Sequence, residues 1–142
     1  MELAAIGSGT CSPGIADLLT RRVASEQWAM VYADNGGSHI ARVLAEVLDV
    51  SVTVADPLDL EAVIDRHAGQ RVLAVCEPWV IRTLAATVLD VDPDGVPLPR
   101  CASLTRFRAS RNGTRNLICL NDALHLPDSQ RVALAPLEME RH

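Results

Sequence analysis

The chain has 142 residues, nearly half of them apolar, and a formal charge of −5. That length suits one domain, expected over residues 1–127 with a tail at 128–142, and can bury roughly 68–70% of its unfolded surface without staples. The acidic balance argues against sequence-independent nucleic-acid binding, and no apolar run is long enough to span a bilayer.

In chain order, Glu2–Ile6 reads as a buried strand running into the loop Gly7–Thr10. A helix follows, with Ser12 as cap, Pro13 in the first turn, and Ile15, Leu18, Leu19 and Val23 on one face. Trp28–Ala33 is a second strand, Asp34–Gly37 a loop of turn-formers, and Ser38 the cap of a helix reaching Leu48. Ser51–Ala55 and Arg71–Cys76 are strands on either side of a helix from Leu58 to His67. A helix from Trp79 to Leu89 leads through a Pro/Asp/Gly-rich link to strands near Cys101–Ala109 and Arg115–Leu120, turned at Asn112-Gly113.

Strand–helix alternation implies a three-layer α/β/α sandwich with a mixed, mainly parallel sheet of about six strands. Ligands bind such sheets at the carboxyl ends of the strands. The loops to watch are therefore Gly7–Cys11, Asp34–Ser38 and Cys76–Trp79.

Three blocks resemble the histidine phosphatase superfamily, the phosphoglycerate-mutase-like proteins. Arg71-Val-Leu-Ala-Val-Cys-Glu-Pro-Trp-Val-Ile-Arg82 is similar to that family's strand followed by Ser-His-Gly-Gly-Val-Ile-Arg. Cys101-Ala-Ser-Leu-Thr-Arg-Phe-Arg108 is similar to its Asn-Ala-Ser-Leu-Thr-Arg-Leu strand, and Leu120-Asn-Asp-Ala-Leu-His-Leu126 to its Leu-Asn-Asp-Thr-Ala-His-Leu ending. The resemblance implies a phosphoglycerate-mutase-like domain. The run from Asp56 to Leu60 is too short for the family's lid insertion, which normally carries the catalytic acid.

The departures shape the expected function. Family members end the first strand in Arg-His-Gly, whose His is phosphorylated; here the strand ends Ala5-Ile-Gly-Ser-Gly-Thr10. The second family His falls at Glu77, a further family Arg falls among Asp34–Gly37, and Pro78 and Trp79 replace two glycines. Phosphoryl transfer to an imidazole needs that ring and cations on the equatorial oxygens. A carboxylate in its place would meet a phosphate with like charge.

The remaining residues carry paired readings. Glu77 suits a general acid or base if desolvated beside Pro78 and Trp79, or is a helix-start carboxylate favoured by the dipole. Trp79 is a stacking wall or a plug. Ser8, Thr10, Asp34, Asn35 and His39 are candidate ligand contacts; alternatively the first two satisfy backbone groups, Asp34 and Asn35 are turn residues, and His39 is an exposed helix residue. His67 reads as a helix-end residue and His125 as structural. Cys76 and Cys101 read as inert thiols on neighbouring strands, reduced in a cytoplasmic protein. The four cysteines have no metal-ligand spacing, so neither metal nor cofactor is expected. Arg100, Arg106, Arg108, Arg111 and Arg115 read as the solvated side of a hairpin rather than a nucleic-acid contact.

Two function classes follow. The first is a catalytically inactive pseudophosphatase that binds a small ligand or a protein partner. The second is a repurposed enzyme in which Glu77 performs acid–base work on a non-phosphorylated biosynthetic intermediate, by cyclisation, dehydration or isomerisation. Homodimerisation through an edge strand or the helix from Trp79 is open.

Overall fold

A computed structural model describes residues 1–9 and 14–127; Thr10 and the expected tail lie outside them. The elements in order are β1 (Glu2–Gly7), α1 (Ile15–Val23), β2 (Met30–Ala33), α2 (Ser38–Leu48), β3 (Val52–Val54), α3 (Leu60–Arg66), β4 (Arg71–Cys76), α4 (Pro78–Leu89), β5 (Leu104–Ala109) and β6 (Arg115–Asp122). They form one six-stranded sheet in the order β3-β2-β4-β1-β5-β6. The first four run parallel, with Ala5 beside Ala74, and β5 and β6 are antiparallel.

The apolar runs of β1 and β4 follow from their central position, since both faces are covered. Ala4 and Ile6 pack towards α1 and α2, against Leu19, Val23 and Leu44. Leu3 and Ala5 face the other way, with Val63, Ile81, Leu84 and Phe107 of α3, α4 and β5. A period-2 strand thus feeds two cores, and the expected three-layer sandwich is the observed one.

Element ends depart from the periodicity reading for local reasons. Trp28 is not in β2: its indole N–H donates to the Val23 carbonyl at 2.9 Å, closing the end of α1. β3 shrinks to three residues on the sheet edge, and its Thr53 and Val54 are exposed. Gly37, not Ser38, caps α2. A Cβ on Gly37 would stand 2.3 Å from the Val75 carbonyl oxygen, so only glycine lets α2 start this close to β4. The connection from β3 to α3 is residues 55–59, and Asp59 caps α3 by accepting from Glu61 and Ala62 N–H at 3.0 and 3.2 Å.

The basic stretch is only partly solvated. Arg106 makes two 2.8 Å bonds to Glu26 and lies over the Trp28 ring, 5.9 Å from its centroid. Arg115 reaches across to Glu61 and Asp65 of α3 at 2.6 and 3.0 Å. Arg115 ties the hairpin to α3, and Arg106 ties it to the segment between α1 and β2. Among the described residues, no helix is long and apolar enough to cross a membrane.

Candidate functional site

The chain leaves β1 for α1 on one face and leaves β4 for α4 on the other. β1 and β4 are adjacent, so their carboxyl ends open a crevice where the following segments part. Gly7 ends β1 so close to the next segment that a Cβ would lie 2.4 Å from the Arg100 carbonyl oxygen. Ser8 is 5% exposed, and its N–H donates to the Cys76 carbonyl at 2.8 Å.

Asp34 follows β2 directly and is 5% exposed. Its Oδ1 accepts the Gly37 N–H and its Oδ2 the Glu77 N–H, each at 2.8 Å. Gly37 caps α2 and Glu77 caps α4, so one buried carboxylate sits between two helix N-termini. Such amides form the usual cradle for a bound anion, and here a side chain of the protein occupies it. Pro78 contributes no N–H to the same turn.

Glu77 is exposed at the start of α4 rather than buried beside Pro78 and Trp79. Its carboxylate makes no cap to its own helix either; it accepts the Trp79 indole N–H. The Trp79 ring is 56% exposed and stands as a wall between two hollows. On one side Ser8, Gly36, Glu77, Pro78, Trp79 and Leu98 line a cleft of about 300 Å³. On the other, Leu58, Leu60, Val80 and Leu84 line a groove of about 300 Å³ between α3 and α4.

Three of the expected site residues, Ser8, Glu77 and Trp79, therefore share one cleft. Asp34 lies beneath it, not in it, with its oxygens committed to backbone. Asn35 turns away and donates to Asp56 at 2.8 Å, and His39 is exposed on the first turn of α2, outside the cleft lining. Leu98 was not anticipated, because the Pro-rich link has no periodicity to mark it.

Other titratable groups lie outside the cleft, and one of them, His125, has a buried Nδ1 with no hydrogen-bond partner among the described residues. Burial, followed by the charges of Asp34 and Glu77, pushes the Cys76 thiol far up, so it stays protonated. Cys101 precedes β5, is separated from β4 by β1, and is disulfide-bonded rather than the expected free thiol. The His67 ring bridges the Tyr32 hydroxyl at 2.6 Å and the Gln70 amide oxygen at 2.7 Å. The Gln70 amide oxygen can only accept there, so His67 Nδ1 donates to it. His125 Nε2 donates to the Ala102 carbonyl at 2.7 Å, and burial holds its pKa below the usual value.

Solved structures share this architecture. YhfR of Bacillus stearothermophilus superposes with a TM-score of 0.75 at 15% identity, over 89% of this chain and 99% of that one. A phosphoserine phosphatase from Entamoeba histolytica, in complex with 3-phosphoglyceric acid, gives 0.73 at 12%, over 89% and 99%. A mycobacterial glucosyl-3-phosphoglycerate phosphatase in complex with VO3 gives 0.74 at 12%, over 85% and 98%. The chain thus shares its fold with these solved structures, phosphatases among them. No family model and no curated protein sequence matches the chain.

Proposed function

We propose that this protein does not process phosphate esters and acts by binding a small ligand or a partner at the cleft beside Trp79. The Asp34 carboxylate carries the reading. It takes the N–H groups of Gly37 and Glu77, which would otherwise point at a phosphate between the two helix starts. A phosphate dianion arriving there would meet Asp34 below and Glu77 beside it, with no cation among the residues lining the cleft. The first strand offers Gly7, Ser8 and Gly9 where the resemblance expects Arg-His-Gly, so no imidazole stands ready as a nucleophile.

The test is phosphate release from p-nitrophenyl phosphate and 3-phosphoglycerate by the purified chain and its Glu77→Gln variant. Both should match the buffer blank. Turnover by the wild type that disappears in the variant would falsify the proposal.

A further inference from the structure

Among the described residues that line the cleft beside Trp79, Glu77 is the charged one. Glu77 Oε2 accepts the indole N–H, which fixes the carboxylate against the ring edge and leaves Oε1 without a partner among the described residues. Around it stand Ser8, Gly36, Pro78 and Leu98, none of them basic. The helix starts that border the cleft would ordinarily recruit an anion, but Asp34 has already neutralised them.

Resting on the reading above, we propose that this cleft binds an organic cation: an ammonium or guanidinium group on an apolar, preferably aromatic, body. The cation pairs with Glu77 Oε1 in a charge-assisted hydrogen bond. The body lies on the exposed Trp79 face against Pro78 and Leu98, where ring stacking and apolar burial supply the rest of the affinity. A larger body extends over the ring into the groove between α3 and α4, whose polar border is Asp59, Thr83, Thr87 and the Arg115-paired Glu61.

Trp79 supplies the assay. Trp28, the other tryptophan, is 7% exposed and covered by Arg106, so ligand at the cleft should change the emission of Trp79 alone. Fluorescence titrations would compare three probes of similar shape, phenethylammonium, phenethyl alcohol and phenyl phosphate, against wild type, Glu77→Gln and Trp79→Leu. Phenethylammonium should give a saturable change that is weakened about five- to tenfold in Glu77→Gln, and weakened by added salt. The alcohol should bind more weakly and equally to both proteins, and Trp79→Leu should remove the signal. If wild type and Glu77→Gln bind the ammonium equally, or if no probe saturates, the cation assignment is overturned while the non-phosphatase reading stands. If phenyl phosphate binds wild type more tightly than the ammonium does, both are overturned.

Discussion

Asp34→Ala tests whether one buried carboxylate holds the crown of this fold together. The substitution removes two 2.8 Å bonds to a carboxylate, leaving the Glu77 amide facing an apolar methyl and the Gly37 amide with only its longer 3.2 Å bond to the residue 34 carbonyl. Hydrogen bonds to charged groups contribute about 1.5–3 kcal/mol each, and the relieved desolvation of the carboxylate offsets part of the sum. The expected loss is about 3–4 kcal/mol. With a urea dependence of about 2 kcal/mol per molar for a chain of this size, the unfolding midpoint should fall by about 1.5–2 M. Amide exchange gives the mechanism: Gly37 and Glu77 should exchange faster by a larger factor than the amides of β1 and β4. Formate should restore part of the stability of Asp34→Ala, and not of wild type, when ionic strength is matched with chloride. A loss below about 1 kcal/mol, or a large loss without faster exchange at those two amides, would refute the clamp.

Two further outcomes concern stability. Glu26 has its carboxyl held below the ordinary value, chiefly by its bond to Arg106 and then by the charges of Arg106, Arg71 and Arg22, against opposing desolvation. A depressed folded pKa means that the stabilisation is present above the unfolded value of about 4.3 and fades as pH falls through the folded value. The stability difference between wild type and Glu26→Gln should therefore be flat from neutrality to about pH 5 and shrink below it; a difference that grows on acidification contradicts the sign. Gly37→Ala should cost about 3 kcal/mol or more, because its methyl would stand 2.3 Å from the Val75 oxygen. Gly95→Ala, where a Cβ meets nothing within 4 Å, should change the same unfolding midpoint very little.

Regular features of this fold were legible in the sequence where a single physical cause dominates. Buried strands such as β1 and β4 must be apolar on both faces, so continuous runs marked them. Helix α1 showed one-sided apolar spacing because one side meets the sheet. Boundaries failed where a long-range partner intervened: Trp28 reads as strand from its β propensity, yet its indole closes α1 and its ring receives Arg106 from β5. The candidate site was legible in location and not in bonding. Glu77 and Trp79 were marked by their departure from a familiar motif, but that Glu77 is exposed and receives the indole proton depends on α4 side-chain geometry. Asp34 read as a turn residue, which is half its role. Its bond to Gly37 is local, whereas its bond to Glu77 spans 43 residues and exists only once β2 and β4 pair.

That second bond links fold and function. In an α/β sheet, helix N-termini gathered at the strand ends form an electrostatic demand for negative charge, met either by a ligand or by the chain itself. A site that awaits an anion must leave those amides unsatisfied when empty, at a cost in stability. Here Asp34 meets the demand permanently, and Gly37 brings α2 near enough to β4 for one carboxylate to serve both helices. Two amides of the crown, those of Gly37 and Glu77, are therefore bonded to the chain itself. What remains exposed above it is the carboxylate of Glu77 against an open indole face, a surface of opposite electrostatic sign from the one this scaffold would present without Asp34.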